Sequence, residues 1–457
     1  MSKKENLLFL VYHGTGHFNA CFHAAKILAT HVNIFFAGVP FFQQYVTSQG
    51  FDYIPLKTLP FGLGLEQWRN EVFKKKPIYI NTVKDRWRDT LYRERENELV
   101  EILERIKPTH VLLDAQQSSD FIAIYRKVID DNIKIALIHT MLPLRLVKGL
   151  PPMNSLALPG EAKAITKSHR AIRFRNFLKR ITQYLRFGIT DNGIIARRIR
   201  RNNVPLVYFK DSDSSFHLTI SGLREFIFAP QAFEFNETPM NSHQHYCGTF
   251  VDYTRVENKN QEFLIHRDAI FGRATAQERK VIYCSFGTRA SQYHNEIIAL
   301  VNHIIAATAK LKCILLCAVD VDHTMIPTKQ YTHVYLYKQL AQIEILKHAD
   351  LFINHGGLNS IKEAIDHGVP MLVYPIDKKT DPLGNSSRVV YHKLGLRGDL
   401  SDRVEDIEQK IHALLSDNSF KKNFARFTVS QKEKDEEFLS LILSMVSLRD
   451  QAFTGSR

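Results

Sequence analysis

From Leu351 the chain reads L-F-I-N-H-G-G-L-N-S-I-K-E-A-I-D-H-G-V-P-M-L-V-Y-P to Pro375, then I-D-K-K-T-D-P-L-G-N-S-S-R to Arg388. Leu351–Asn354 is a short apolar run with the pattern of a buried strand. His355-Gly356-Gly357 is a turn that glycines enter without a side-chain penalty, and that lets another group approach the backbone closely. Asn359 and Ser360 open a helix with Ile361, Ala364 and Ile365 at helical spacing, stopped by Gly368 and Pro370. Met371–Pro375 is a second apolar strand. Strand, glycine turn, helix and strand make one parallel βαβ unit, with polar groups collected where strand becomes helix.

Such a junction suits an anion. The first turn of a helix presents unpaired N–H groups, and the helix dipole favours negative charge there. His355, Asn359 and Ser360 add side-chain donors, while Asp377, Asp381 and Asn385 leave the following strand on the same rim. The plain alternative is a tight turn followed by a helix cap.

The order and spacing of H-G-G-L-N-S, Glu363, G-V-P-M and D-P-L-G-N-S-S-R resemble the donor-binding signature of family 1, UDP-glycosyltransferase-like enzymes. Within that family the nearest likeness is to bacterial enzymes that glucosylate carotenoids and other hydrophobic acceptors. The resemblance implies a GT-B fold, an α/β architecture of two Rossmann-like parallel-sheet domains facing a cleft. It also implies roles: His355, Gly356, Gly357, Asn359 and Ser360 around the nucleotide diphosphate, Glu363 on the ribose, and Asp381 on sugar hydroxyls. In many relatives a W-x-P-Q segment precedes the signature; here the Trp position is Gln339 and the family Gln is Gln342. Tyr337 is then a candidate for stacking on the base, and UDP and dTDP both stay open. The family's Asp-Gln pair is Asp381-Pro382, and the lengthened loop before it carries Lys378 and Lys379.

Earlier in the chain, Leu7–Tyr12 followed by H-G-T-G-H-F-N-A reads as strand, glycine turn and helix. Strands at His31–Ala37 and Tyr53–Leu56 continue the alternation that builds a parallel sheet. Ligands collect at the carboxyl ends of such strands, where His13–His17 falls. G-T-G lacks the third glycine and the acidic residue of a dinucleotide fingerprint, which argues against NAD. Arg86–Lys107 is expected as one charged helix, followed by the strand Val111–Leu113 with Asp114 at its end. The family resemblance makes His17 the general base and Asp114 the carboxylate that holds its imidazole, with His13 and Asp120 in reserve. Histidine is the side chain poised near neutral pH to take a hydroxyl proton, and a buried carboxylate fixes its tautomer. No G-x-S-x-G elbow is present, which argues against serine hydrolysis.

Ile135–His139, His217–Ser221 and His245–Phe250 are expected as the remaining strands of the first half. Between them lies a basic stretch: from Glu161 to Lys210 there are thirteen Lys and Arg against two acids. Phe174, Phe177, Leu178, Ile181, Tyr184 and Leu185 recur at helical spacing there, among Arg173, Arg175, Lys179, Arg180 and Arg186. That makes a candidate for peripheral contact with an anionic membrane surface; the alternative is an ordinary helix with a solvated basic side. The polar run Asp252–Gln261 suits a linker. The pattern restarts with the strand Val281–Phe286, the turn Gly287-Thr288, a helix over Asn295–Lys310 and the strand Cys313–Ala318. By resemblance, Gly287 and Thr288 approach the diphosphate from opposite His355. Val334–Tyr337 is a further strand, and Glu436–Leu448 is a final helix that the family likeness sends back onto the first domain. The expected division is 1–250 for the acceptor domain, 251–275 for the linker, 276–430 for the nucleotide-sugar domain and 431–450 for the returning helix.

Composition bounds the rest. With 457 residues, 44% hydrophobic and 24% charged, the chain is expected to be globular and to hold two cores. Its opening M-S-K-K-E carries no cleavable signal pattern, and no apolar run is long enough to span a bilayer. Five scattered cysteines read as small core residues in a reducing compartment, hence a cytoplasmic chain, and the basic stretch makes the inner membrane face the surface such a chain would contact. The net charge of +14 is unaccompanied by a nucleic-acid-binding signature, so no nucleic acid is expected. Asp211-x-Asp213 is the one Asp-x-Asp considered and lies far from the rim, so neither a metal nor any other cofactor is expected beyond the nucleotide-sugar co-substrate.

The function expected from the sequence is therefore inverting transfer of a hexose from a UDP- or dTDP-sugar to a hydroxyl of a small hydrophobic acceptor. A sugar-nucleotide epimerase, a lipid-linked glycosyltransferase and a non-catalytic sugar-nucleotide-binding protein are the alternatives.

Overall fold

The computed structural model describes residues 4–209, 218–236, 241–257, 260–287, 293–377, 380–427 and 429–449. It contains two parallel sheets. The first consists of β1 (Asn6–Leu10), β2 (Asn33–Gly38), β3 (Asp52–Pro55), β4 (His110–Asp114), β5 (Lys134–His139), β6 (Arg224–Ile227) and β7 (Gln244–Tyr246). Its spatial order is β3-β2-β1-β4-β5-β6-β7. The second consists of β8 (Lys280–Ser285), β9 (Cys313–Ala318), β10 (Val334–Tyr337), β11 (Leu351–Asn354), β12 (Met371–Val373) and β13 (Gly395–Arg397), in the order β10-β9-β8-β11-β12-β13. The central strands β4, β9 and β11 are buried along their whole length. A parallel sheet covered by helices on both faces demands this. The order reverses beside β1 and β4 in one sheet and beside β8 and β11 in the other, so each sheet has a crevice at its carboxyl edge.

Several elements differ from expectation. Residues 218–221 form no strand, and the strand falls at β6 instead, carrying Glu225 into the core. A charge inside a buried strand breaks the apolar pattern, but Glu225 is satisfied there by Arg145 at 2.8 Å, His139 at 3.2 Å and Gln244 at 3.0 Å. Those partners pull its carboxyl down to about 2 even though burial alone would raise it. The single helix expected over 86–107 is two helices, Ile78–Arg88 and Thr90–Ile106. The break is Asp89 at φ 51°, a left-handed conformation that Asp tolerates better than most residues. Its carboxylate is held by Arg198 at 2.6 Å. The expected linker, 251–275, is largely helix: Gln261–Ala276 begins inside it and places Phe263, Ile270 and Ala274 in a core that also includes strands of the second sheet.

The two halves are fastened to each other. The Gly384 N–H donates to the Met153 carbonyl at 2.8 Å, and the Ser387 hydroxyl to the Ser155 carbonyl at 3.1 Å. Arg388 pairs with Glu234 at 2.5 Å, and the Lys362 ammonium donates to the Phe228 carbonyl at 2.7 Å. The closing helix is Gln431–Leu443 rather than Glu436–Leu448, and its apolar side chains pack on the first half. There Phe438 meets Phe226, Phe228 and Phe250 at ring distances of 5.1, 6.1 and 5.2 Å.

Candidate active site

The first rim is built by the turn after β1. The helix Thr15–Ala29 starts there with Gly14 as its N-cap, without a side-chain cap, and His17 lies in its first turn. β4 is hydrogen-bonded directly beside β1, with Leu10 level with Leu113, so the next residue, Asp114, reaches the same rim. The His17 Nδ1 is 2.7 Å from the Asp114 Oδ2. Asp114 is fully buried and also accepts from the backbone N–H groups of Gln116 at 2.9 Å and Tyr12 at 3.3 Å. Burial opposes its charge, but His17 and the two N–H groups outweigh that and hold the carboxyl below its ordinary value. The aspartate is therefore ionised near neutral pH. It fixes Nδ1 as the protonated nitrogen and leaves Nε2 to accept a proton.

The reserve residues resolve. Asp120 is fully buried and bound through both oxygens by Arg95, the closer contact 2.6 Å. His13 packs against Tyr12 at 4.0 Å between ring centres, and burial, then His17, lowers its basicity. Sequence reading missed Thr140, one residue beyond β5. Its hydroxyl is 2.6 Å from the His17 Nδ1 and 3.3 Å from the Asp114 Oδ2. Its place at a strand's carboxyl end was the available signal.

The second rim is the signature turn. The Asn354 side chain accepts from the Gly356 N–H at 2.8 Å, while Asn385 donates to the Gly356 carbonyl at 2.9 Å and to Asp381 at 2.8 Å. Gly356 has φ 89°, and a Cβ there would come within 3.0 Å of the Pro382 carbonyl oxygen, so only glycine fits. The His355 ring lies between the other two glycines: a Cβ on Gly287 would meet its Cε1 at 2.7 Å, and one on Gly357 its Nε2 at 2.7 Å. Gly287 and the signature turn are thus adjacent; Thr288, Lys378, Lys379, Asp211 and Asp213 lie outside the described residues. The helix Leu358–His367 starts after Gly357 with no side-chain cap, so its first N–H groups remain available to a ligand.

Further along this helix, Gln342 donates to Ser360 at 3.2 Å and to Glu363 at 2.6 Å, bringing three expected donor-site residues together. Glu363 is also paired with Arg255 at 3.0 Å, and Arg255 contacts Glu257 as well. Arg255 comes from the polar run read as a linker, where an arginine carries no special signal. Tyr337, the expected stacking residue, is instead in the core, edge-on to Phe263 at 5.7 Å. Asp381 sits in the cleft with part of its surface open. Desolvation pushes its carboxyl up to about 6 despite the bond from Asn385, and the His17 imidazole is near enough to act on it.

The two rims meet: the Asn359 side chain donates to the Gly16 carbonyl at 2.6 Å, one residue before His17. An imidazole with a buried carboxylate behind it thus faces a helix N-terminus flanked by glycine turns. One side can take a proton, and the other can stabilise a developing anion. Among the described residues no group of three or more His, Cys, Asp and Glu is placed to hold a metal ion.

Comparison with known proteins finds partial likenesses in sequence and full-length likenesses in fold. Residues 252–443 match the family model described as UDP-glucoronosyl and UDP-glucosyl transferase. Human UDP-glucuronosyltransferase 1A4 is 24% identical over 212 residues, 44% of this chain and 38% of that protein. Human UDP-glucuronosyltransferase 1A9 is 29% identical over 123 residues, 26% of this chain and 23% of that protein. The chain therefore spans well under half the length of these relatives. Among solved structures, the kitacinnamycin glycotransferase superposes with TM-score 0.61 at 14% identity, covering 96% of both chains. SnogD from Streptomyces nogalater gives 0.60 at 13%, covering 96% of this chain and 99% of that one. VinC, solved in complex with dTDP, gives 0.58 at 15%, covering 98% of both. The fold is the two-sheet glycosyltransferase fold, GT-B, and the resemblance carried by the signature holds over the matched C-terminal stretch.

Proposed function

We propose that this GT-B chain is an inverting glycosyltransferase that moves a hexose from a UDP- or dTDP-sugar to a hydroxyl of a small hydrophobic acceptor. In this reading the half up to residue 250 receives the acceptor, residues 276–430 hold the donor, and the returning helix after 431 ties them. The observation that carries it is the His17–Asp114 pair at 2.7 Å, one residue from the Gly16 carbonyl that Asn359 grips.

The His17 Nε2 takes the proton as the acceptor oxygen attacks the anomeric carbon, and Asp114 stabilises the imidazolium that results. The nucleoside diphosphate leaves from the opposite face, so the configuration inverts. Its charge is met by the first N–H groups of the helix Leu358–His367, by His355, Asn359 and Ser360, and by Gly287 and Thr288 from the other turn. Glu363 and Gln342 take the ribose, and Asp381 the sugar hydroxyls. The five cysteines are free and buried, which supports a reducing, cytoplasmic setting; no described helix is long and apolar enough to cross a membrane.

The test is His17→Ala. Transfer to a lipophilic alcohol or phenol should fall by about 10²–10⁴-fold, while UDP or dTDP binding measured by calorimetry stays within a factor of about two of the parent. Unchanged transfer would remove His17 from the mechanism. Saturable binding of neither nucleotide would remove the transferase reading altogether.

A further inference from the structure

The helix Ala162–Phe187 has an outward face that neither sheet nor active site uses. It contains eight Lys and Arg and no acid. Its inward side is defined by the buried Ile165 and Ile172 and by Gln183, which exchanges hydrogen bonds with Asp191 at 2.7 and 3.0 Å. At about 100° per residue, Phe174, Phe177, Leu178, Ile181, Tyr184 and Leu185 fall on the opposite side, within an arc of about 120°. All six are exposed, Phe174 at 61% and Leu185 at 80%. Arg175 and Arg186 border this arc on one side, Arg173 and Arg180 on the other, while Lys179 turns back to pair with Asp191 at 3.0 Å.

A second segment extends the face. Phe73, Tyr79, Ile80 and Trp87 are exposed around Lys74–Lys76. Tyr79 donates to the Arg186 carbonyl, and the Trp87 indole donates to the Phe187 carbonyl at 2.8 Å, so this segment joins the helix's C-terminal end. The result is a continuous apolar strip with cations on its borders.

We infer that this strip docks the chain onto an anionic phospholipid bilayer, with the aromatic and aliphatic side chains among the acyl chains and the lysines and arginines at the headgroups. Interfacial helices need this arrangement of an apolar face rimmed by basic residues. The charge selects the partner. A two-fold contact between copies would set this basic face against itself, and a nucleic acid would leave the central Phe and Leu side chains in water. The inference does not depend on the transfer reaction, and an inactive enzyme should dock equally well.

The test is sedimentation of the full chain with vesicles of phosphatidylcholine alone or mixed with phosphatidylserine. Binding should require phosphatidylserine and weaken with salt. Arg175→Glu with Arg180→Glu should lower partitioning by at least about 25-fold, about fivefold for each basic residue. Phe177→Asp with Leu185→Asp should abolish it, with the melting temperature unchanged because both side chains are exposed. Equal binding to both vesicle types, insensitivity to salt, or unaltered partitioning of either variant would overturn the inference. So would a dimer that the apolar variant converts to a monomer while the parent ignores vesicles, or a preference for single-stranded RNA over phosphatidylserine vesicles.

Discussion

Thr140 illustrates how much a single hydroxyl contributes to a proton acceptor. It lies 2.6 Å from the His17 nitrogen that also faces Asp114, so it limits rotation of the imidazole. Thr140→Val should lower kcat between about tenfold and a hundredfold through misalignment. The donor KM should hold, the acid limb of the pH profile should shift, and Thr140→Ser should restore both. Asp381 supplies a pH test. Its carboxyl titrates at about 6 when folded, against about 4 when unfolded. The folded chain therefore holds an extra proton between those values, and stability falls as pH rises through that window. The melting temperature of Asp381→Asn relative to the parent should accordingly rise between about pH 4 and pH 7. Sequence reading put Asp381 on the rim and missed Thr140, and it gave no account of which neighbour either meets. His17 and Asp114 are 97 positions apart, and the register of β4 against β1 is what sets their side chains 2.7 Å from each other.

At the scale of elements, the segment between the two sheets does more than connect them. The Arg255 side chain is enclosed there between Glu363 and Glu257, and burial raises the Glu257 pKa even though the Arg255 charge acts to lower it. Replacing Arg255 leaves two desolvated carboxylates facing one another. Arg255→Met should cost about 3 kcal/mol in urea unfolding, and Arg255→Met combined with Glu363→Gln should recover part of the loss. The signature helix was legible because its glycine turn, apolar spacing and terminating Gly368 are all local. The helix break at Asp89 was not: the backbone reversal is stabilised by Arg198, more than a hundred positions away. β6 escaped notice for the same reason, since Glu225 is apolar-compatible only once Arg145 and His139 surround it.

For the whole molecule, the question is what holds two sheets at the separation a shared reaction requires. The closing helix belongs in sequence to the second half but buries Phe438 and Ile442 in the first. Phe438→Ala should remove about 3–5 kcal/mol, and calorimetry should show the first half's transition moving to lower temperature more than the second's. The amino-acid sequence by itself determined the two runs of alternating strands and helices, the glycine turns and the donor signature, because those patterns repeat over a few residues and need no distant partner. Only the tertiary structure decided that Thr140 joins His17 and Asp114, that Arg255 claims Glu363, and that Tyr337 is in the core. Those outcomes follow from burial and pairing between segments about a hundred positions apart, and such energies exist only once the sheets have assembled.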